Sequence, residues 1–217
     1  MTRLPQSGKI AAFDVDAQNT FTPVCASELP VPEGDTIAPE LNAQAGFAAY
    51  RMGSKDAHPD NAVWRTDDPN EIGAPLDGYA NAREKWVPHA LVGTHGFEAL
   101  DGLPHASEYD FFVYKGPERD MHPYGACYHD VAETVSSGAI EFLRDKGVTT
   151  VLVGGLATDF CVRATVLQLV SAGLDVRVNR AAVRGISAEG CQRTFDEMAR
   201  AGVEFFEGTN ELRAANT

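Results

Sequence analysis

The sequence lacks an excess of basic residues. Its 217 residues include 18 lysines and arginines against 31 aspartates and glutamates, which gives a formal net charge of -13. An acidic surface repels phosphate backbones and anionic lipid headgroups, so we expect no nucleic acid and no membrane among the partners. The charge does not indicate which small molecule the protein binds.

Long apolar runs are also missing. No stretch approaches the ~20 apolar residues that cross a bilayer. The apolar segment near the start is too short for the core of a signal peptide, so we expect a cytoplasmic location. The apolar fraction of 44%, with no repeat, low-complexity tract or linker, predicts a single domain over residues 1–217. Whether that domain forms a homo-oligomer stays open.

Closely spaced cysteine pairs are absent too. The chain has four cysteines and no C-x-x-C pair, so disulfides are not expected and the thiols should be free. The question that remains is whether one of them is reactive. The four are Cys25, Cys127, Cys161 and Cys191.

What the sequence does contain is an alternation of short apolar runs and amphipathic stretches. Strands are predicted at residues 9–15, 111–114, 148–153, 174–178 and 203–206. Helices are predicted at residues 36–51, 138–146 and 160–172, followed by one that Ser187 caps. Residues 52–85 are rich in glycine and proline, and a connection this long typically builds a site. The pattern predicts an α/β fold, a three-layer sandwich with a central, mostly parallel sheet flanked by helices.

The most informative stretch joins the apolar strand at residues 148–153 to the next helix through Gly154 and Gly155. Cys161 falls at the start of that helix, where free N–H groups and the helix dipole favour a thiolate and can stabilise an oxyanion. Cys161 is therefore a candidate nucleophile. The alternative interpretation is a small apolar residue that fills the interface between helix and sheet.

Two other strand ends carry charged residues. Asp16 and Lys115 each follow a short apolar strand, and parallel strands present their carboxyl ends at one edge of the sheet. There the Asp16 carboxylate can take the proton of the Cys161 thiol, and Lys115 can lower the pKa of that thiol and keep the carboxylate ionised. The alternative is an Asp–Lys ion pair that only braces the sheet edge.

Three blocks of sequence resemble the nicotinamidases of the isochorismatase-like cysteine hydrolase superfamily. Residues 16–21 are similar to a D-x-Q-N-D-F block, with Thr20 in place of the second acid. Tyr114-Lys115-Gly116 matches a K-G block, and residues 155–162 are close to G-[IVL]-A-T-D-x-C-V, the most specific of the three. The resemblance implies an isochorismatase-like, Rossmann-like fold.

The same resemblance implies the chemistry. Asp16, Lys115 and Cys161 would form a catalytic triad that converts nicotinamide to nicotinate and ammonia through a Cys161 thioester. A cis peptide bond before Ala157 would help to aim the backbone N–H groups of Ala157 and Cys161 at the oxyanion. The residues implied to bind the substrate are Phe21, Trp86 and Leu156.

A metal site is implied as well. Asp56-Ala57-His58-Pro59 and the segment from Trp86 to His89 resemble family blocks that ligate an ion, with Asp56, His58 and His89 as ligands. The implied cofactor is a divalent metal ion, zinc first, with iron or manganese as alternatives. One histidine of the usual pattern is replaced by Ala62, so water, Asn61 or Asp60 would have to fill the gap. His105, His122 and His129 match no block and are interpreted as surface or loop residues.

Two other functions are kept open. A related cysteine amidohydrolase would act on another small amide, of the maleamate or N-carbamoyl type, and the replaced histidine and the long segment at residues 60–85 favour it. A non-catalytic or redox-responsive binding protein on the same scaffold would not need Asp16, Lys115 and Cys161 intact. In every enzymatic interpretation the partner is a small-molecule amide.

Overall fold

The computed structural model describes Leu4 and residues 9–215. Six strands form one parallel sheet in the order β3-β2-β1-β4-β5-β6. The strands are β1 (Lys9–Val15), β2 (Tyr50–Asp56), β3 (Phe111–Lys115), β4 (Val148–Leu156), β5 (Asp175–Arg184) and β6 (Glu204–Phe206). The helices are α1 (Ala38–Ala45), α2 (Ala139–Asp145), α3 (Arg163–Ser171), α4 (Ala188–Arg200) and α5 (Thr209–Ala215).

Helices cover both faces of this sheet. Val151 and Val153 of β4 pack in one apolar cluster with residues of α2, α3 and α4, whereas Leu152 packs in another with Leu212 of α5. Because alternate residues of a strand point to opposite faces, the two helix groups lie on opposite sides of the sheet. The predicted three-layer α/β sandwich is therefore confirmed.

Strand β2 is the main element that the sequence did not predict. The helix predicted at residues 36–51 ends at Ala45, because the backbone N–H of Ala49 already donates to Ile10 O at 2.8 Å and leads the chain into pairing with β1. Gly53 of β2 leaves room for the Phe112 ring of the neighbouring strand β3, since a Cβ there would lie 2.5 Å from that ring.

Two predicted strands differ from expectation at their ends, and one helix was not predicted. Strands β4 and β5 both extend beyond their predicted carboxyl ends. Helix α5 follows β6, and its Leu212 is fully buried against Phe206. Residues 216–217, after α5, lie outside the described residues. Ser187 caps α4 as predicted, accepting from the Gly190 N–H at 3.0 Å.

Within the described residues, no helix combines the length and the apolar character that crossing a bilayer requires. The cytoplasmic location and the single domain over residues 1–217 stay predictions.

Candidate active site

Four neighbouring strands each deliver one reactive side chain to the carboxyl edge of the sheet. Lys115 and Asp56 end β3 and β2 and are directly paired across the two strands. Asp16 follows β1, and Cys161 follows β4 after a short turn. All four side chains are buried, at 5% exposure or less. The convergence predicted for Asp16, Lys115 and Cys161 is present, and Asp56 joins them.

Lys115 lies at the centre of this group. Its Nζ is 2.7 Å from Asp16 Oδ2, 3.0 Å from Asp56 Oδ1 and 3.6 Å from Cys161 Sγ, and it also donates to the Tyr124 carbonyl at 2.7 Å. Burial alone would lower the pKa of Lys115, but the two carboxylates outweigh it and hold that pKa well above its ordinary value. The ammonium is therefore charged and fixes the positions of the acid and the thiol.

Asp16 has the properties of a proton carrier. Burial raises its pKa, and the nearby Lys115 ammonium opposes that rise without cancelling it. The Ser54 hydroxyl donates to Asp16 Oδ1 at 2.6 Å and orients the carboxyl group. Ser54 belongs to β2, the strand missed from the sequence, so its role was missed as well.

Cys161 sits in a π-helical turn, Thr158–Val162, that leads into α3. Burial raises the pKa of its thiol well above the ordinary value, and the Asp16 and Asp56 carboxylates add to this rise against the lowering effect of Lys115. This is the reverse of the shift expected from the helix start and the lysine. The resting sulfur therefore carries its proton, and an attack needs a base to remove it.

The chain enters this turn through a tight approach between β4 and β1. Gly155 has φ +131°, and a Cβ there would lie 1.9 Å from Val15 O, so only glycine fits. The peptide bond between Leu156 and Ala157 is cis, as the resemblance implied. Ala157 begins the turn without a side-chain cap.

Beside Asp56 lies a cluster of three buried histidines, His58, His89 and His122, each offering a ring nitrogen within 4.8 Å of the others. His58 Nδ1 faces Gly116 O at 3.1 Å and His89 Nδ1 faces Val87 O at 2.7 Å. A carbonyl can only accept, so both Nδ1 atoms carry hydrogen, which leaves Nε2 as the atom of each ring that can bind an ion.

These residues fit a divalent metal ion. His58 Nε2 is buried and has no hydrogen-bond partner among the described residues. Asp56 Oδ2 lies 3.7 Å from His58 Nε2. Burial, His58 and Lys115 together lower the pKa of His89 to about 3. Asp56 itself is desolvated, but Lys115 and His58 hold the pKa of its carboxyl group well below the ordinary value. One carboxylate beside imidazoles is a donor set that divalent transition metals take.

Asp56, His58 and His89 thus come together as predicted, but the replaced histidine is compensated in an unexpected way. Asn61 is exposed, and Asp60 pairs with Arg65 at the surface, so neither reaches the cluster. His122, interpreted from the sequence as a surface or loop residue, is 8% exposed and lies in the cluster. Its position in the chain follows no ligand spacing, so no sequence signal marked it.

A cleft joins the thiol of Cys161 to His89 and His122. Phe21 and Trp86 line it as implied, whereas Leu156 does not and instead packs in an apolar cluster with Phe21. Cys127 is buried in the main core, away from the cleft wall. The full lining is Phe21, Leu29, Asp56, Trp86, His89, His122, Tyr124, Ala157, Phe160, Cys161 and Ile186.

Tyr124 is a cleft residue that the sequence did not reveal. Its hydroxyl accepts from Trp86 Nε1 at 3.1 Å and donates to Glu84 Oε2 at 2.7 Å. The chain of three side chains fixes the Trp86 ring at the cleft wall. With Phe21 and Phe160, the wall is aromatic, which suits a small flat ring.

Known proteins share this arrangement of the chain. Residues 13–209 match the isochorismatase domain family. The chain belongs to the isochorismatase domain family. A family relative, a nicotinamidase from Acinetobacter baylyi, is 31% identical over 218 residues, which cover 97% of this chain and 98% of the relative.

Solved structures agree with this family membership. A nicotinamidase pyrazinamidase from Acinetobacter baumanii superposes with a TM-score of 0.83 at 30% identity, over 96% of this chain and 100% of that one. A pyrazinamidase from Pyrococcus horikoshii, solved in complex with zinc, gives a TM-score of 0.71 at 31% identity, over 91% of this chain and 98% of that one. Both are isochorismatase-like α/β folds of the kind described here.

Proposed function

We propose that this chain is a metal-dependent nicotinamidase, which hydrolyses nicotinamide to nicotinate and ammonia. The observation that carries the proposal is the position of Lys115 Nζ, 3.6 Å from Cys161 Sγ and 2.7 Å from Asp16. The Cys161 thiol lines a cleft that is also lined by the imidazoles of His89 and His122. The nicotinamidase from Acinetobacter baylyi, similar over nearly the whole chain, supports this choice of substrate.

The substrate would lie with its pyridine ring between Phe21 and Trp86 and its amide carbon facing Cys161 Sγ. Asp56, His58 and His89 would hold a divalent ion, zinc in our proposal with iron and manganese as alternatives. Such an ion supplies a Lewis acid that orients a pyridine nitrogen. The zinc complex of the Pyrococcus horikoshii pyrazinamidase supports the choice of metal.

The first half of the reaction makes a thioester. Asp16 takes the thiol proton as Cys161 Sγ bonds to the amide carbon, and the carbonyl oxygen becomes an oxyanion. The backbone N–H groups of Ala157 and Cys161 would donate to that oxyanion. The C–N bond then breaks, Asp16 returns its proton to the departing nitrogen, and ammonia leaves.

The second half hydrolyses the thioester with the same groups. Asp16 takes a proton from water as the water oxygen bonds to the acyl carbon, and the C–S bond breaks. The proton then returns to the Cys161 sulfur, which restores the thiol and releases nicotinate. Lys115 stays charged throughout and keeps the Asp16 carboxyl group in place. The raised pKa of Cys161 supports this scheme, since the resting thiol has a proton to give.

The alternative substrates fit the cleft less well. Maleamate carries a carboxylate, and a cleft that binds it needs a cationic side chain where the metal would otherwise lie. Among the described residues that line the cleft, none is lysine or arginine, and imidazoles occupy that place. The cleft therefore favours a neutral aromatic amide, with N-carbamoyl compounds as the comparison substrates.

Ammonia release from nicotinamide tests the proposal. Cys161→Ala should abolish release, because no thioester forms without the sulfur. Asp16→Asn should lower kcat by about 10²- to 10⁴-fold, since the proton then has no carrier. Cys25→Ser, which changes a half-buried thiol away from the cleft, is the matched control and should keep the parental rate.

A second measurement examines the nucleophile directly. Alkylation with iodoacetamide should abolish activity in proportion to modification at Cys161, read by peptide mass mapping. Ammonia release that survives in Cys161→Ala, or faster turnover of an N-carbamoyl amide than of nicotinamide, would contradict the proposed function.

A further inference from the structure

We propose that His122 is a direct protein ligand of the metal ion, supplying the imidazole that the chain lacks at Ala62. The proposal rests on the metal dependence in the proposed function and adds a residue to it. His122 comes from the segment after β3. Of the other three ligands, Asp56 is the last residue of β2, His58 follows it two residues later, and His89 lies in the long segment between β2 and β3. The ion would therefore join three separate parts of the chain.

The distances favour ligation over chance proximity. His122 Nε2 lies 3.3 Å from His89 Nε2. Ring nitrogens on two corners of a tetrahedral zinc site, with bonds of about 2.0–2.1 Å, are separated by about 3.3 Å. His122 also stacks on His58, with ring centroids 5.0 Å apart and planes 24° apart. The three histidines each offer a ring nitrogen within 4.8 Å of the others, and Asp56 Oδ2 lies 3.7 Å from His58 Nε2.

The local charges favour a cation there as well. Asp16 and Asp56 carry two negative charges against one on Lys115, so the buried group has a net negative charge when both acids are ionised. A divalent ion on the imidazoles would offset that charge.

The long segment at residues 60–85 holds His122 in place. The His122 N–H donates to Asn81 O at 2.7 Å, and the Trp64 indole N–H donates to Met121 O at 3.1 Å. The Trp64 ring lies 4.5 Å from the His122 ring and 4.7 Å from the His58 ring, measured between centroids. Ala62 has no ligating group, but its small side chain leaves room for Trp64 in the same apolar cluster. Trp64 is therefore a positioning residue for the metal site.

Zinc affinity tests the assignment without any amide substrate. The metal-free protein, prepared by chelation, is titrated with zinc in competition with a chromophoric chelator. Loss of a residue that merely orients a ligand weakens binding by about 10- to 100-fold, so His122→Asn should weaken it by more than about 100-fold. His105→Asn, an exposed histidine whose capping role asparagine can keep, is the matched control and should bind zinc like the parent.

Cobalt spectroscopy and a positioning variant separate ligation from packing. The parent loaded with Co²⁺ should give the intense visible absorption of a four-coordinate site, and His122→Asn should lose that intensity. Trp64→Phe keeps a ring but loses the hydrogen bond to Met121 O, so it should weaken zinc binding less than His122→Asn does. Unchanged zinc affinity and an unchanged cobalt spectrum in His122→Asn would overturn the proposal.

X-ray absorption on the zinc-loaded parent covers the case in which His122→Asn fails to fold. Three imidazoles in the zinc shell are expected, and two would overturn the proposal. None of these measurements uses nicotinamide. Three imidazoles on zinc without nicotinamide hydrolysis would contradict the proposed function and support the assignment of His122. Nicotinamide hydrolysis with only two imidazoles on zinc would support the proposed function and contradict the assignment of His122.

Discussion

Asp56 connects the two parts of the site. Its Oδ1 faces Lys115 Nζ at 3.0 Å, and its Oδ2 lies 3.7 Å from His58 Nε2, so one carboxylate borders both the triad and the histidine cluster. A substitution at Asp56 would disturb both parts together. Ser54 contacts Asp16 and not the histidines, which makes it a cleaner probe of the acid.

Ser54→Ala should move the pH dependence of catalysis. The hydroxyl donates to the charged form of Asp16, so its loss raises the pKa of that carboxyl group further. Catalysis needs the carboxylate, so the acid limb of kcat/KM against pH should shift to higher pH, and kcat should fall by about 10-fold or more. Ser107→Ala, an exposed serine, is the control. A lower Tm with an unmoved acid limb would make Ser54 a structural residue only.

The residues that lie in sequence motifs were predicted from the sequence. The site residues outside the motifs, which only the tertiary fold brings to the site, were missed. Asp16, Lys115 and Cys161 follow strands, so their convergence could be inferred from parallel-sheet geometry. Ser54 and His122 could not be, because nothing in their local sequence records which side chains they meet. Thr20 is a similar case, because it stands where the D-x-Q-N-D-F block has its second acid. The Thr20 hydroxyl donates to the Glu28 carboxylate, so an acid from outside the motif lies beside this position.

Secondary-structure prediction succeeded for strands whose burial demands apolar residues. Strands β1 and β4 are mostly apolar and are buried except near their amino ends. β1 was predicted with its true bounds, and β4 was predicted three residues short at its carboxyl end. Strand β2 is also an interior strand, between β1 and β3, but reads Tyr-Arg-Met-Gly-Ser-Lys-Asp. Two of its inward positions are occupied by Ser54 and Asp56, which serve the site. The chemistry of the site thus removed the apolar pattern by which β2 would have been recognised.

Gly155→Ala tests the tight approach between β4 and β1. The alanine would need a rare positive φ, and its Cβ would lie 1.9 Å from the Val15 carbonyl oxygen, which is backbone and cannot rotate away. We expect a loss of more than about 3 kcal/mol in the free energy of unfolding, measured with urea.

Gly147→Ala is the matched control for this substitution. Gly147 also has a positive φ, but a Cβ there meets nothing within 4 Å, so only backbone strain of about 1 kcal/mol should appear. Equal losses in the two variants would show that the contact with β1 does not matter.

The complete sheet explains where the site lies. Strand order turns back between β1 and β4, and Asp16 and Cys161 follow these two strands, so the nucleophile and its proton carrier flank the crevice that opens at such a point. Asp56 and Lys115 extend the same edge along β2 and β3. The histidines lie beyond them, which places the metal site at one end of the cleft and the thiol at the other.

This buried histidine cluster should make the metal-free protein sensitive to acid. Burial, the largest cause, lowers the pKa of His89 from 6.5 to about 3, so between these values the unfolded chain binds a proton that the folded chain does not. Stability therefore falls as pH drops below about 6.5, by about 1 kcal/mol per pH unit for this residue. Asp14 and Asp16, whose pKa values burial raises, act in the opposite direction.

Comparison of the parent with His89→Asn isolates the histidine, because the aspartates are common to both proteins. Urea unfolding of the chelator-treated proteins between about pH 7 and about pH 5 should show the parent losing stability faster, by about 1 kcal/mol per pH unit. Parallel pH profiles would contradict a neutral buried His89. Zinc should flatten the acid loss of the parent, since an ion on the imidazoles stabilises only the folded state, and it should have little effect on His89→Asn.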